Sequence, residues 1–342
     1  MVGIKRFTIG IFSIVLLFSF ILNISIGAFS LSFNDIVNTF LSPLDNQINY
    51  QVLVDIRIPR IILSIFVGVA FGISGAMMQT LFKNPLADPS LIGVSAGASA
   101  GVVIFMMLGA YLPAIFSEEL SSYIVVPFSA FLGAVITILA IYKLSTLYNK
   151  VAVTVMLLAG IAINALLGAL VGLFSYVSTD EELRTFTFWT MGSLANGDMN
   201  VIYIMFPIII GVYIFAIKKK VELNLLLLGE DEARNSGVNT ERLKKLIILS
   251  VSLAIGVSVA FCGIIGFVGL VVPHISRLLV GSNHKFFLPL SAILGAFILV
   301  WADAIARTII EPAELPIGII TAILGAPFFL WLLVKNRQNT LN

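Results

Sequence analysis

Apolar residues in this chain gather into long runs separated by short polar connections. A helix that crosses the hydrocarbon core of a bilayer needs about 20 mostly apolar residues. Ten runs meet that description, centred near 7–28, 60–82, 91–111, 122–142, 151–174, 200–217, 244–262, 264–280, 288–306 and 315–334. The seventh and eighth are separated only by Gly263-Ile264-Ile265-Gly266, so a nine-span count is the alternative. Glycines recur every three or four residues inside several runs: Gly68, Gly72 and Gly75; Gly93, Gly97 and Gly101; Gly263, Gly266 and Gly269. In lipid, such small-residue ridges let helix backbones approach closely. The spacing therefore predicts helix packing rather than a phosphate-binding glycine loop.

Composition and charge sharpen this picture. Of the 342 residues 59% are hydrophobic and 11% charged, with a mean hydropathy of +1.07. A soluble domain carries about 25% charged residues. Too little polar side chain is present to cover a water-facing surface, which excludes a soluble enzyme, a disordered chain and a nucleic-acid-binding module. The single cysteine, Cys262, rules out an intramolecular disulfide. Lys5-Arg6 precede an apolar stretch longer than the roughly 7–15 residues of a signal-peptide core, so an uncleaved first helix with a cytoplasmic N-terminus is expected. On a ten-span topology from that start, 16 of 20 basic residues fall on the cytoplasmic side, leaving Arg57, Arg60, Arg184 and Arg307 outside. This is the asymmetry the positive-inside rule requires, and nine spans or the opposite orientation spoil it. The chain reads as an all-α polytopic membrane protein, a single transmembrane domain over 1–342.

Little in the spans is suited to chemistry. No G-x-x-x-x-G-K-[ST] and no Gly-Lys pair occurs, so the chain has no P-loop of its own. His274 and His284 lie ten apart without a neighbouring Glu or Cys, which fails the spacing of a zinc site; packing or hydrogen bonding suits His274 better. Asp303, near the outer end of the ninth run, precedes Arg307 by four residues, a favourable order for a local ion pair. Without a nucleophile, acid pair or metal site at depth, neither catalysis nor a metal or other cofactor is expected in this chain. A channel or a permease powered by a partner remains. An ion-coupled carrier is weakened by the lack of a buried carboxylate cluster, although some carriers coordinate ions with backbone carbonyls.

Three loops carry information. The long inside segment 218–245 holds a short apolar helix stopped at Gly229. The acids Glu230, Asp231 and Glu232 then open a second helix at its positive dipole end. Gly237 is placed to cap its C-terminus, and Asn239 or Thr240 to start the next span. Two short helices on a membrane face suit an interaction surface. The inside loop Lys83-Asn84-Pro85-Leu86-Ala87-Asp88-Pro89-Ser90 is stiffened by two prolines. Outside, Arg57 and Arg60 sit three apart and would share a helix face. That face could meet a partner or lipid phosphate.

These segments together resemble the FecCD family, the permease subunits of ABC importers for iron(III)-siderophores, haem and cobalamin. The resemblance is carried by Arg57-Ile58-Pro59-Arg60, by Gly72–Gln79 leading into Asn84–Pro89, and by Leu91–Ala98. Further on it is carried by Phe188–Leu194, by Leu228-Gly229-Glu230 with Ala233-Arg234 and Gly237, by Gly266–His274, and by Glu314–Gly318 with Leu324–Pro327. It covers residues from about 50 to 334, with all seven stretches in the family's order. It implies about ten helices in the type II ABC importer permease architecture and a second permease subunit, identical or paralogous. It also implies two ATPase subunits that bring ATP and magnesium, and an extracellular substrate-binding protein, with no nucleic acid involved. The host membrane would be a bacterial cytoplasmic membrane, with both termini on its inner side. By the same resemblance Arg57, Arg60 and Arg307 receive acidic side chains of the binding protein. Leu228, Gly229, Glu230, Ala233, Arg234 and Gly237 form the coupling helices on which the ATPase acts. Asn84, Pro85, Leu86, Val153 and Thr154 form the cytoplasmic gate; Val153 departs from the hydroxylated residue common there. A ferric siderophore is the expected cargo, haem or cobalamin the alternative.

Overall fold

The computed structural model describes residues 2–27, 31–43, 45–109, 124–148, 150–311 and 313–340. The predicted run ends at Ala28, Ala110–Tyr111 and Ser122–Tyr123 lie outside the described residues. The first half contains α1 (Val2–Ser25), α2 (Phe33–Leu41) and α3 (Gln47–Tyr50), which passes through a π-helical turn, Gln51–Arg57, into α4 (Ile58–Leu81). A 3-10 turn, Pro89–Ile92, leads to α5 (Val94–Gly109), α6 (Val126–Ser145), a hairpin of β1 (Thr146–Leu147) and β2 (Lys150–Val151), and α7 (Val153–Val177). There follow α8 (Asp180–Thr190), α9 (Met199–Lys218), α10 (Lys220–Leu228), α11 (Glu230–Asn235), α12 (Thr240–Cys262), α13 (Val268–Val280), α14 (His284–Ala306) and α15 (Ile317–Thr340).

Every predicted apolar run contains an apolar helix. Among the described residues, seven helices are long and apolar enough to cross a membrane: α1, the continuous Gln47–Leu81 stretch, α6, α7, α9, α12 and α14. The remaining runs hold the shorter apolar helices Val94–Leu108, Val268–Val280 and Ile317–Leu332. Length alone thus accounts for seven of the ten predicted spans.

The centre of the bundle is α4, whose apolar stretch is 78% buried, against 11% for α1 and for α7. It packs on α9, α12, α13 and α14. Its glycine ridge explains how: Gly68 lies against the backbone of Gly295, Gly72 against the Ser291 carbonyl and Gly75 against the Gly269 carbonyl, leaving no room for a Cβ. Gly97 and Gly101 make the same kind of contact with Gly133 and Ser129 of α6. Close backbone approach of this sort substitutes for a hydrophobic driving force that lipid cannot supply.

The third glycine series departs from expectation. Only Gly269 lies on a helix, packed on Pro89. Gly263 and Gly266 sit in an extended link between α12 and α13, where Gly263 and Phe267 have φ values of 68° and 66°. Irregular backbone at this depth requires partners within the protein, and it finds them. The Ser193 N–H donates to the Cys262 carbonyl at 2.8 Å, Ile317 N–H to Gly192 at 3.0 Å and Gly318 N–H to Met191 at 2.9 Å. Two stretches that carry the resemblance, 188–194 and 314–318, thereby meet the link after α12 at one junction.

Candidate functional site

The predicted functional residues lie at two ends of the bundle, one marked by lysines at the helix ends (Lys83, Lys143, Lys218, Lys244) and the other by acids (Asp303, Glu311, Glu314).

At the acidic end the structure encloses all three arginines that the sequence leaves open to a partner. Arg57, Arg60 and Arg307 are only 4%, 7% and 7% exposed. The Arg60 Nε donates to both carboxylate oxygens of Asp303 at 3.0 Å, and its Nη2 to Oδ1 at 2.9 Å. Its Nη1 donates to both oxygens of Glu314 at 2.8 and 2.9 Å. This planar fork-to-carboxylate geometry is what guanidinium provides and ammonium does not. The expected Asp303–Arg307 pair is correspondingly loose, with Arg307 Nε 3.7 Å from Asp303 Oδ2. The cause is the close seat of α14 on α4 at Gly68 and Gly295, which brings Arg60 to Asp303. Arg307 instead donates from Nη2 to the Asn23 carbonyl at 3.0 Å, and Arg57 from Nη1 to the carbonyls of Ile24 and Ser25 at 2.6 and 3.2 Å. Both arginines thus cap the C-terminal end of α1, where free carbonyls and the negative dipole end favour cations. Arg57 stands at the end of a π-helical turn and Arg60 three residues on in regular α-helix; both are buried, Arg57 on the end of α1 and Arg60 on Asp303 and Glu314.

At the basic end the two predicted short helices are present as α10 and α11, hinged at Gly229. Gly237, with φ +84°, ends α11: its N–H donates to Arg234 at 2.9 Å and that of Val238 to Ala233 at 2.9 Å. Asn239 caps α12, its side chain accepting from Arg242 N–H at 3.0 Å. Leu228 is 73% exposed, Ala233 is buried, and Glu230 and Arg234 reach each other at 3.4 Å. An exposed leucine beside charged residues on a short helix pair is a surface able to take a protein partner.

The first predicted gate segment leads into a turn that packs on α7, the helix that the second begins. Asn84 Oδ1 accepts from Leu86 N–H at 2.9 Å, and Asp88 accepts from Ser90 N–H at 2.8 Å to start the 3-10 turn. Burial pushes the Asp88 carboxyl above its ordinary range, partly offset by those Ser90 bonds. Gly160 of α7 lies against the Leu91 carbonyl, so α7 packs on this loop. Val153 and Thr154 form the first turn of α7, with Thr154 exposed. Among the described residues no group of His, Cys, Asp and Glu is placed to hold a metal ion. His284 is buried between Thr80 Oγ1 at 2.8 Å and Asn224 Oδ1 at 2.7 Å, and His274 stacks edge-on to Phe328.

Sequence reasoning missed Lys244, Glu241 and the backbone of Val151, which join the two basic-end elements. Lys244 Nζ lies 3.2 Å from Glu230 and 2.8 Å from Glu241, and donates to the Val151 carbonyl at 2.9 Å. The available signal was the i,i+3 spacing of Glu241 and Lys244.

Known proteins are similar to this chain. The hemin transport system permease protein of Yersinia pestis is 40% identical over 97% of each chain. A cobalamin import system permease protein of Halobacterium salinarum is 41% identical over 84% of this chain and 74% of its own length. Among solved structures, a metal-chelate type ABC transporter in an inward-facing conformation superposes with a TM-score of 0.84 at 31% identity, covering 96% of this chain and 99% of the other. The profile of the FecCD transport family matches residues 15–335, and the chain belongs to that family.

Proposed function

We propose that this chain is the membrane-spanning permease subunit of an ABC importer that carries an iron(III)-siderophore complex across a bacterial cytoplasmic membrane. The observation that carries the importer reading is the near full-length likeness to permeases of chelate-import systems. The chain itself hydrolyses nothing: a partner ATPase binds ATP and magnesium and docks on α10 and α11. A second permease subunit, identical or paralogous, completes the pathway, and an extracellular binding protein delivers the cargo to the acidic end. Both termini lie in the cytoplasm, which accords with the basic residues at that end. Any contact of the binding protein with Arg57, Arg60 or Arg307 is made through groups already paired within the chain, so docking rearranges the Arg60–Glu314 contact rather than filling a vacant charge.

Haem is a second reading, favoured by the hemin permease relative at 40% identity. The test is reconstitution of the permease with its ATPase and binding protein in liposomes, measuring ATP-dependent uptake of a ferric siderophore, hemin and cobalamin in parallel. Saturable uptake of the ferric siderophore alone supports the first reading, and uptake of hemin alone replaces it with the second. Uptake by the permease without the ATPase overturns the importer reading in favour of an ion-coupled carrier.

A further inference from the structure

Lys244 is a long, charged side chain with 2% of its surface exposed, one turn inside α12. A buried ammonium costs several kcal/mol unless its charge and donors are met. It has three N–H donors, and three acceptors surround it: Glu241 at 2.8 Å, the Val151 carbonyl at 2.9 Å and Glu230 at 3.2 Å. The other oxygen of Glu241 accepts from the Val151 N–H at 2.8 Å. Both backbone groups of one residue are therefore held by two side chains a single turn apart on α12.

The hairpin geometry makes this possible. Ala152 N–H donates to the Ser145 carbonyl at 2.9 Å, and Thr146 faces Val151 across the strand pair. In an antiparallel ladder hydrogen-bonded and non-hydrogen-bonded pairs alternate, so the N–H and C=O of Val151 point away from β1, toward α12. Two residues later α7 begins with Val153 and Thr154. On the other side Glu230 is the first residue of α11 and also meets Arg234. One ammonium thus touches α11, α12 and the strand that leads into α7.

We propose that Lys244 and Glu241 are positioning residues that tie the start of α7 to the α10–α11 pair, so that displacement of those helices is passed to Val153 and Thr154. This rests on the importer reading for the source of the displacement. Coupling between sites needs a packed physical connection with two arrangements. Here the connection is short and polar, and it bypasses the apolar interior.

The test uses the permease–ATPase complex in lipid nanodiscs with spin labels at the exposed positions Thr154 and Asn235, and the same complex in liposomes with its binding protein. Lys244→Met/Glu241→Met removes both backbone holds while leaving net charge unchanged. Glu241→Gln keeps an acceptor for the Val151 N–H. In the unsubstituted complex the 154–235 distance changes little with nucleotide because both labels move together. In the double variant nucleotide separates them, and uptake per ATP hydrolysed falls about tenfold, a coupling of ordinary size. Glu241→Gln stays within about threefold. Unchanged uptake per ATP in the double variant, with both labels still moving together, overturns the proposal. Hydrogen exchange of the 146–154 peptide in the permease alone separates this from the importer reading. Faster exchange confined to that peptide in the double variant supports the tie even where the complex imports no chelate, and unchanged exchange overturns it.

Discussion

Replacing Arg60 by Met leaves Asp303, 2% exposed, without its bidentate partner. The remaining cation is Arg307, whose Nε stands 3.7 Å away. Removing one member of a buried ion pair costs about 3–5 kcal/mol, mainly because the other charge stays buried and unmet. Glu314 is 43% exposed, so the loss of its contact with Arg60 adds only about 0–1 kcal/mol. Against a native stability of about 5–15 kcal/mol, Arg60→Met should remove a large fraction and lower the thermal midpoint of the detergent-purified chain by several degrees. Arg60→Met/Asp303→Asn takes away both charges and should recover most of that loss, a non-additivity that a double-mutant cycle reads directly. Uptake in liposomes then separates two roles. If Arg60 only fastens α4 to α14, transport returns with stability in the double variant. If its charge also meets an acidic face of the binding protein, stability returns and uptake does not. A single variant as stable as the unsubstituted chain, or a double variant no better than the single, would refute the energetic argument.

Gly75→Ala places a Cβ on the Gly269 carbonyl and 2.9 Å from Pro273 Cγ. Backbone cannot yield as a side chain does, so the loss should reach about 3 kcal/mol, the upper part of the overpacking range. Gly211→Ala in α9 meets nothing within 4 Å, and the helix-propensity gain of about 1 kcal/mol should leave its melting point equal or higher. Asp88 makes a pH-dependent pair of predictions. Because the folded chain holds the carboxyl proton more tightly than the unfolded chain, the penalty is absent below the ordinary carboxylate range and sets in as pH rises through it. Asp88→Asn removes that titration yet can still accept from Ser90 N–H, so melting at neutral pH should be unchanged or raised, and flatter with pH. Asp88→Ala forfeits the cap and should lose about 1 kcal/mol.

Local signals were legible wherever one stretch of chain determines its own structure. The apolar runs gave the helices, Gly229 and the following acids gave the α10–α11 break, and Gly237 and Asn239 gave the turn into α12. The Gly68, Gly72 and Gly75 ridge indicated close packing, though which helix it meets is a property of the fold. The arginines illustrate the limit. Spacing of four residues favours Asp303–Arg307, yet Arg60, 243 residues away from Asp303 in sequence, takes the carboxylate with better geometry. No periodicity records that α14 seats on α4. The π-helical turn before Ile58 was equally invisible. Lys244 read as one more inside lysine because its burial depends on a hairpin that arrives from 93 residues away.

Packing also decides where this fold is able to move. Contacts of α4 with α13 and α14 are backbone against backbone at Gly68, Gly72 and Gly75, and such contacts leave no side-chain rotamer to absorb a displacement. Interiors packed this way switch between discrete arrangements rather than deform. By contrast α7 buries only Met156, Gly160 and Phe174 among its residues, and Gly168 and Gly172 have nothing within 4 Å. Its outer face leaves Val155, Leu158, Ile161, Leu166 and Leu173 exposed. On the coupling proposed above, a push on α10 and α11 would be taken up along α7, and the tie at Val151 lies at the end of α7 where it would arrive. The glycine-packed centre would be the frame against which that helix tilts.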